Sequence, residues 1–276
     1  MPYQHRPLIT HASATPTPDS PAPASQRSVG GALQAFLFYL LLLAFAVICL
    51  LWSLPAGLLA WLLPPSVGRP LGQRAISAGF RLYIGMLKGS GMLRCDMSAL
   101  DTLRDEQGIV IAANHPSLLD AVLLVSRLPH AVCIAKASIG RNILLGGGMR
   151  LAGYVLNDAP LPMIRNAAEA VRAGRQLVIF PEGTRTPKDA VDLCPGPFSR
   201  SFAVMALQAQ APIQTILIEC ESDYLRKGVS LFRKPKLPLR YKLRLGRRFP
   251  AAGDAQALSR EVEVYLRSHL SRPASP

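Results

Sequence analysis

Acidic side chains are scarce in this sequence: 17 Asp and Glu stand against 31 Lys and Arg in 276 residues, a formal net charge of +14. Charge of either sign is also sparse, 17% of residues against 50% hydrophobic, which excludes a disordered polyelectrolyte and a coiled coil. The five cysteines, Cys49, Cys95, Cys133, Cys194 and Cys220, form no C-x-x-C pair, so neither a disulfide framework nor a zinc site is expected, and a reducing cytoplasm suits them. What remains is an apolar yet basic chain, long enough for one large core or two modest ones. Its natural counterpart is an anionic surface, and both nucleic acid and an acidic bilayer fit that description.

Large apolar residues are almost absent from residues 1 to 30, where runs such as TPTPDSPAPAS predict a disordered tail. Charge is then absent from Leu33 to Leu54, and 22 helical residues rising about 1.5 Å each span roughly 33 Å, the thickness of a bilayer. A cleaved signal peptide fits poorly, because the apolar run starts late, is long, and continues past Pro55 without a cleavage pattern. The anchor is therefore placed at residues 31–64, with Pro55 and Gly57 expected to bend or break it. One spanning helix and a hairpin turning at Pro55 are both compatible with this segment, and Trp52 and Trp61 could sit at the interface in either. Arg69, Arg74, Arg81, Lys88 and Arg94 follow the run, against Arg6 and Arg27 before it, so the globular part should face the cytoplasm, at a bacterial-type inner membrane. Residues 65–104 read as a basic juxtamembrane linker and helix.

From about residue 105 to the end at 276 the pattern is that of one α/β domain. Gly108–Ala113, Val132–Ala135, Leu177–Phe180 and Ile213–Glu219 read as buried strands, and Arg240–Leu245 as a strand with one wet face. Leu118–Leu128, Met163–Ala173 and Ser201–Gln210 read as helices. Asp254 would cap a last helix with an apolar stripe of Leu258, Val262, Tyr265 and Leu266. This alternation predicts an α/β sandwich with a mixed sheet flanked by helices. The Gly146-Gly147-Gly148 run lacks nucleotide-loop spacing and suits a close backbone approach.

Two turns carry the chemistry. Asn114-His115-Pro116-Ser117-Leu118-Leu119-Asp120 leaves a buried strand and enters a helix, the place where α/β sheets hold ligands. A carboxylate at Asp120, reaching back across a tight turn, could fix the His115 imidazole in one tautomer and make it a general base. Asn114 or backbone amides near the turn could stabilise an oxyanion. No G-x-S-x-G elbow surrounds Ser117, so it reads as structural and no covalent intermediate on it is expected. The second turn is Phe180-Pro181-Glu182-Gly183-Thr184-Arg185-Thr186. Here Gly183 permits close backbone approach, Thr184 offers a hydroxyl and Arg185 a planar fork, together an anion cradle.

The pairing of NHPSLLD with FPEGTRT some sixty residues later resembles the glycerolipid acyltransferases, typified by 1-acylglycerol-3-phosphate acyltransferase, over roughly residues 88 to 225. The resemblance implies transfer of a fatty acyl group from a thioester, coenzyme A or acyl carrier protein, to a lipid hydroxyl, with the thioester as substrate and no cofactor or metal. It implies His115 as the base and Asp120 as its orienting partner. Glu182, Gly183, Thr184 and Arg185 would bind the acceptor, and Lys136 matches a further family position. Where many members carry Glu and Pro downstream of that Lys, this chain has Ser138 and Ile143, and the usual Asp-Arg reads Asp158-Ala159. The acceptor is thus a lyso-lipid such as 1-acyl-sn-glycerol-3-phosphate, or a non-glycerol lipid such as a lyso-ornithine lipid. A rival class is a non-catalytic basic protein docked on membrane or nucleic acid. The His115 and Asp120 pair argues against it, since binding needs no base, and nucleic acid is not the expected partner.

Between Tyr224 and Phe249 lie ten basic residues and no acid: Arg226, Lys227, Arg233, Lys234, Lys236, Arg240, Lys242, Arg244, Arg247 and Arg248. Such one-sided charge predicts a surface for anionic membrane lipids or for an acidic acyl carrier protein.

Overall fold

The computed structural model describes residues 29–142, 146–187, 197–222, 224–233 and 235–270. The Pro/Ser-rich tail with Arg6 and Arg27, and also Ile143, Cys194 and Lys234, lie outside the described residues. In chain order the elements are α1 (Val29–Leu62), α2 (Pro65–Gly89), β1 (Leu93–Asp96), a 3-10 turn (Ser98–Leu103), β2 (Ile109–Ala113), α3 (Asp120–Arg127), β3 (Ala131–Ala135) and α4 (Ala137–Gly140). They continue as α5 (Gly147–Ala152), β4 (Val155–Leu156), α6 (Pro160–Arg172), β5 (Gln176–Ile179), α7 (Ser201–Ala209), β6 (Ile213–Cys220), β7 (Leu239–Phe249) and α8 (Ala255–Leu270).

The seven strands form one sheet in the order β1-β7-β6-β2-β5-β3-β4. Every neighbouring pair is parallel except β6 with β7, so the sheet is mixed, as expected. Side chains alternate across a strand, and β2 shows the consequence. Ile109, Ile111 and Ala113 pack with residues of α1, α2 and α3, whereas Val110 and Ala112 pack with those of α6, α7 and α8. A strand apolar on both faces can be buried only between two helical layers. Asp254 Oδ2 accepts the N–H groups of Gln256 and Ala257 at 2.9 and 3.1 Å, capping α8, and Leu258, Val262 and Leu266 are buried as the stripe requires.

Three expectations need correction. First, α1 runs unbroken through Pro55 to Leu62, and the chain turns at residues 63–64 instead. Pro55 removes only its own N–H bond. Contacts from α5 hold the helix on either side of it: Gly147 N–H donates to Ser53 Oγ at 3.0 Å, and a Cβ at Gly147 would collide with the Ser53 carbonyl at 1.9 Å. The glycine run therefore serves helix-to-helix approach. Second, residues 93–96, read as linker, form β1 and pair with β7, so the sheet begins before residue 105. Third, four of the ten cations in the basic run pair with acids from elsewhere. Arg240 pairs with Glu221, Arg244 with Glu219, Arg247 with Glu261 and Arg248 with Glu106, because β7 lies against β6 and beside α8.

The helix α1 lies along the domain. Phe38 meets Tyr224 edge-on at 5.4 Å, Phe45 stacks on Tyr83 at 4.2 Å, and Trp52 packs against Gly148. Its outer face stays bare: Leu33, Phe36, Leu43, Leu51 and Leu58 are more than half exposed, and Trp61 is 83% exposed. Of the two interfacial tryptophans expected, Trp61 alone points outward, and Trp52 faces α5.

Candidate active site

The strands β2, β5, β3 and β6 run parallel, so their C-terminal ends share one sheet edge, and both sequence turns lie there. The His115 turn leaves β2, and the Phe180–Thr186 turn leaves the neighbouring β5. The structure brings His115 and Asp120 together: Nδ1 of the imidazole lies 2.9 Å from Asp120 Oδ2. Asp120 is fully buried, while the His115 side chain is 16% exposed. Its carboxylate also accepts the Ser117 N–H at 2.7 Å and the Ser117 hydroxyl at 3.0 Å. Burial pushes the Asp120 carboxyl up, and the donors from His115 and Ser117 pull against that rise. With Nδ1 turned to the carboxylate, Nε2 is the nitrogen left for chemistry.

The turn is held from every side. Phe180 stacks on the His115 ring, centroids 3.9 Å apart and planes 14° apart. The His115 N–H donates to Glu182 Oε1 at 3.0 Å, and the His115 carbonyl accepts the Thr186 N–H at 2.8 Å. The second turn thus clamps the peptide groups of the first. Ser117 has its hydroxyl within 2.8 Å of the Tyr241 hydroxyl and accepts the Leu119 N–H at 3.1 Å, so it is a structural node, as its sequence context implied. Burial, with Cys220 and Asp120 nearby, drives the Tyr241 hydroxyl well above its ordinary range, which keeps it a neutral hydrogen-bonding partner.

Several expected ligand groups have other partners. Asn114 is fully buried and clamps β6, donating to the Ile218 carbonyl at 2.9 Å and accepting its N–H at 2.7 Å. These two bonds position the turn against β6. Glu182 likewise acts on the His115 backbone. Arg185 is half-buried and donates to the Leu225 carbonyl at 2.7 Å, which leaves part of its fork for a ligand. Gly183 and Thr184 are exposed, and Gly183 has a φ of +66°, a left-handed geometry that favours glycine although a Cβ there would meet open space. Lys136 is exposed at the end of β3, on the same edge but two strands from β2, roughly 10 Å by ordinary strand spacing. The Asn157-Asp158 pair supports its segment: Asn157 accepts the Ala137 N–H at 3.0 Å, and Asp158 binds Arg141 at 2.8 Å.

Sequence reading missed Phe180 as a ring partner, and also Thr186, Tyr241 and the Leu225 carbonyl. Phe180 and Thr186 flank a recognised block, but nothing local marks Tyr241, which lies 124 residues from Ser117. Beside the site a cavity of about 360 Å³ lies between the end of β6 and the start of β7, lined by Glu221, Tyr224, Arg233, Lys236 and Arg240.

A parallel-sheet edge thus carries an imidazole bonded to a buried carboxylate, next to a turn that bears the Arg185 guanidinium. Residues 94–219 match the Acyltransferase family model, a range that contains both turns. The chain is 31% identical over 115 residues to 1-acyl-sn-glycerol-3-phosphate acyltransferase of Helicobacter pylori, covering 40% of this chain and 47% of the relative. It is 30% identical over 147 residues to the human 1-acyl-sn-glycerol-3-phosphate acyltransferase beta, covering 51% of each. To the Bacillus subtilis 1-acyl-sn-glycerol-3-phosphate acyltransferase it is 28% identical over 144 residues, covering 50% of this chain and 67% of the relative. The chain spans about half the length of the first of these curated relatives. The crystal structure of the 1-acyl-sn-glycerophosphate acyltransferase of Thermotoga maritima superposes with a TM-score of 0.65 at 18% identity, covering 90% of this chain and 99% of that one. The fold is therefore shared with that enzyme, and the resemblance carried by the two turns agrees with the family match.

Proposed function

We propose that this protein is a membrane-associated O-acyltransferase that moves a fatty acyl group from a coenzyme A or carrier-protein thioester to the hydroxyl of a lyso-lipid, with 1-acyl-sn-glycerol-3-phosphate as the first acceptor to test. The observation that carries the reading is the Nδ1 contact of His115 with the buried Asp120 carboxylate, which leaves Nε2 for substrate. In this reaction Nε2 takes the proton of the acceptor hydroxyl as its oxygen attacks the thioester carbonyl. The tetrahedral adduct collapses, the C–S bond breaks, and the departing thiolate receives the proton from the imidazolium. Asp120 holds the tautomer and stabilises the positive ring, and a positioned base of this kind contributes about 10² to 10⁴ in rate. Ser117, with its hydroxyl bonded to Asp120 and Tyr241, takes no acyl group.

The exposed apolar face of α1 supports membrane association, and the cations following it support a domain on the cytoplasmic side. Packing of α1 along the domain from Phe38 to Gly57 favours a helix embedded with the domain at the bilayer surface over one that crosses it alone. Ala159 in place of the family's usual Arg favours a broader choice of acceptor, including singly charged or zwitterionic lyso-lipids. Membranes containing the protein, given labelled acyl thioester and a panel of lyso-lipids, should yield labelled diacyl product. Absence of transfer to every lyso-lipid would overturn the assignment.

A further inference from the structure

Most arginines of this chain that come close to an acid pair with it, as Arg240, Arg244, Arg247 and Arg248 do. At the opposite edge of the sheet from His115 three do not. Arg69 and Arg74 on α2 and Arg175 just before β5 have no ion pair or side-chain hydrogen bond among the described residues, although they are close enough to act on one another. Burial and the charges of Arg69 and Arg74 hold the Arg175 guanidinium below its ordinary range, and burial, with Arg74 and Arg175, lowers His130 in the same way. Among the described residues the acid acting on His130 is the exposed Asp105.

Two of these arginines, Arg69 and Arg175, line a cavity of about 160 Å³ together with Ser66, Gln73 and Gly153 among others. Gly153 is what admits the Arg69 stem, since a Cβ there would lie 3.1 Å from it. Gln73 is 98% buried and donates to the Ala152 carbonyl at 2.9 Å, but its Oε1 has no partner among the described residues. A buried acceptor left unmade is costly, so a ligand here should bring a hydroxyl as well as negative charge. The first turn of the 25-residue α2, capped by no side chain, adds its positive dipole end. Leu62 and Trp61, three and four residues before Pro65 of the cavity lining, end the bare face of α1 and are 56% and 83% exposed.

We infer that this cavity binds the headgroup of an anionic glycerophospholipid, with the phosphate between Arg69 and Arg175, a headgroup hydroxyl on Gln73 Oε1, and the acyl chains along Trp61 and Leu62. Phosphate charge answers the unpaired guanidiniums, the hydroxyl answers the buried acceptor, and the exposed apolar end of α1, adjacent in sequence, favours a lipid over a soluble phosphate. The site does not depend on the acyltransferase reading, and its test does not use activity.

The full chain in a non-ionic detergent is melted alone and with dioctanoyl phosphatidylglycerol, dioctanoyl phosphatidylcholine or sn-glycerol 3-phosphate. Phosphatidylglycerol should raise the Tm by about 2 to 4 °C when well above its Kd, and the other two should not. The Arg69→Gln/Arg175→Gln double variant should lose that shift and, with repulsion relieved, should melt without lipid at or above the wild type. A shift retained in the double variant would overturn the site, and an equal shift with glycerol phosphate would overturn the lipid assignment in favour of a soluble anion. A double variant that melts well below wild type without lipid would show that the arginines hold the fold, and would overturn the proposal too.

Discussion

The two turns at the sheet edge leave adjacent parallel strands, yet they use their side chains in opposite ways. In the His115 turn, Asn114, Ser117 and Asp120 are fully buried, and three hydrogen bonds converge on the Asp120 carboxylate that holds the imidazole. In the Phe180–Thr186 turn, Gly183 and Thr184 are exposed, and the buried Thr186 reaches back to the His115 carbonyl. The first turn is pre-organised chemistry, and the second is part scaffold and part open surface. A general base works when its geometry is fixed before substrate arrives, whereas a headgroup site must admit a ligand from the membrane. Substitutions in the first turn should therefore act on kcat, and those at the open end of the second on KM.

The strongest way to break that contrast is Asp120→Asn. It removes the tautomer lock with little change in size, and kcat in the labelled-thioester assay should fall by about 10² to 10⁴ with acceptor KM little changed. Next comes Arg185→Ala, which should raise the KM for an anionic lyso-lipid by about tenfold, the scale of one charge-assisted contact, with Arg185→Lys in between. Glu182→Gln sharpens the division. If Glu182 serves the His115 backbone, kcat should fall by roughly tenfold with KM unchanged, because a neutral acceptor replaces a charged one, whereas a substrate contact would raise KM instead. The smallest effect belongs to Tyr241→Phe. Loss of the bond to Ser117 should cost about 0.5 to 1.5 kcal/mol in thermal or denaturant unfolding and only a few-fold in kcat.

Much of this was legible along the chain, for a definable reason. The strand before His115 is apolar on both faces, its turn is marked by Pro116, and its carboxylate comes five residues later, so the partners are local. The Asp254 cap is local in the same way. What escaped depends on distant partners. The clamp of Asn114 on Ile218 spans 104 residues, and the Ser117 contact with Tyr241 joins β7 to a turn read without it. The basic run looked uncompensated because its acids, Glu106, Glu219, Glu221 and Glu261, sit on other segments and meet it only through sheet order and the placement of α8. Pro55 misled for a related reason: a local breaker lost to the packing of α5, which no local pattern around Pro55 announces.

The central claim is that the His115 imidazole takes the proton of the acceptor hydroxyl, with no acyl group passing through the protein. The most direct measurement is turnover of labelled acyl thioester and lyso-lipid by His115→Ala, in membranes where its amount and membrane association match the wild type. The account predicts less than about a hundredth of wild-type turnover, consistent with the usual contribution of a general base. Retention of more than about a tenth, a loss smaller than any positioned base supplies, would contradict it.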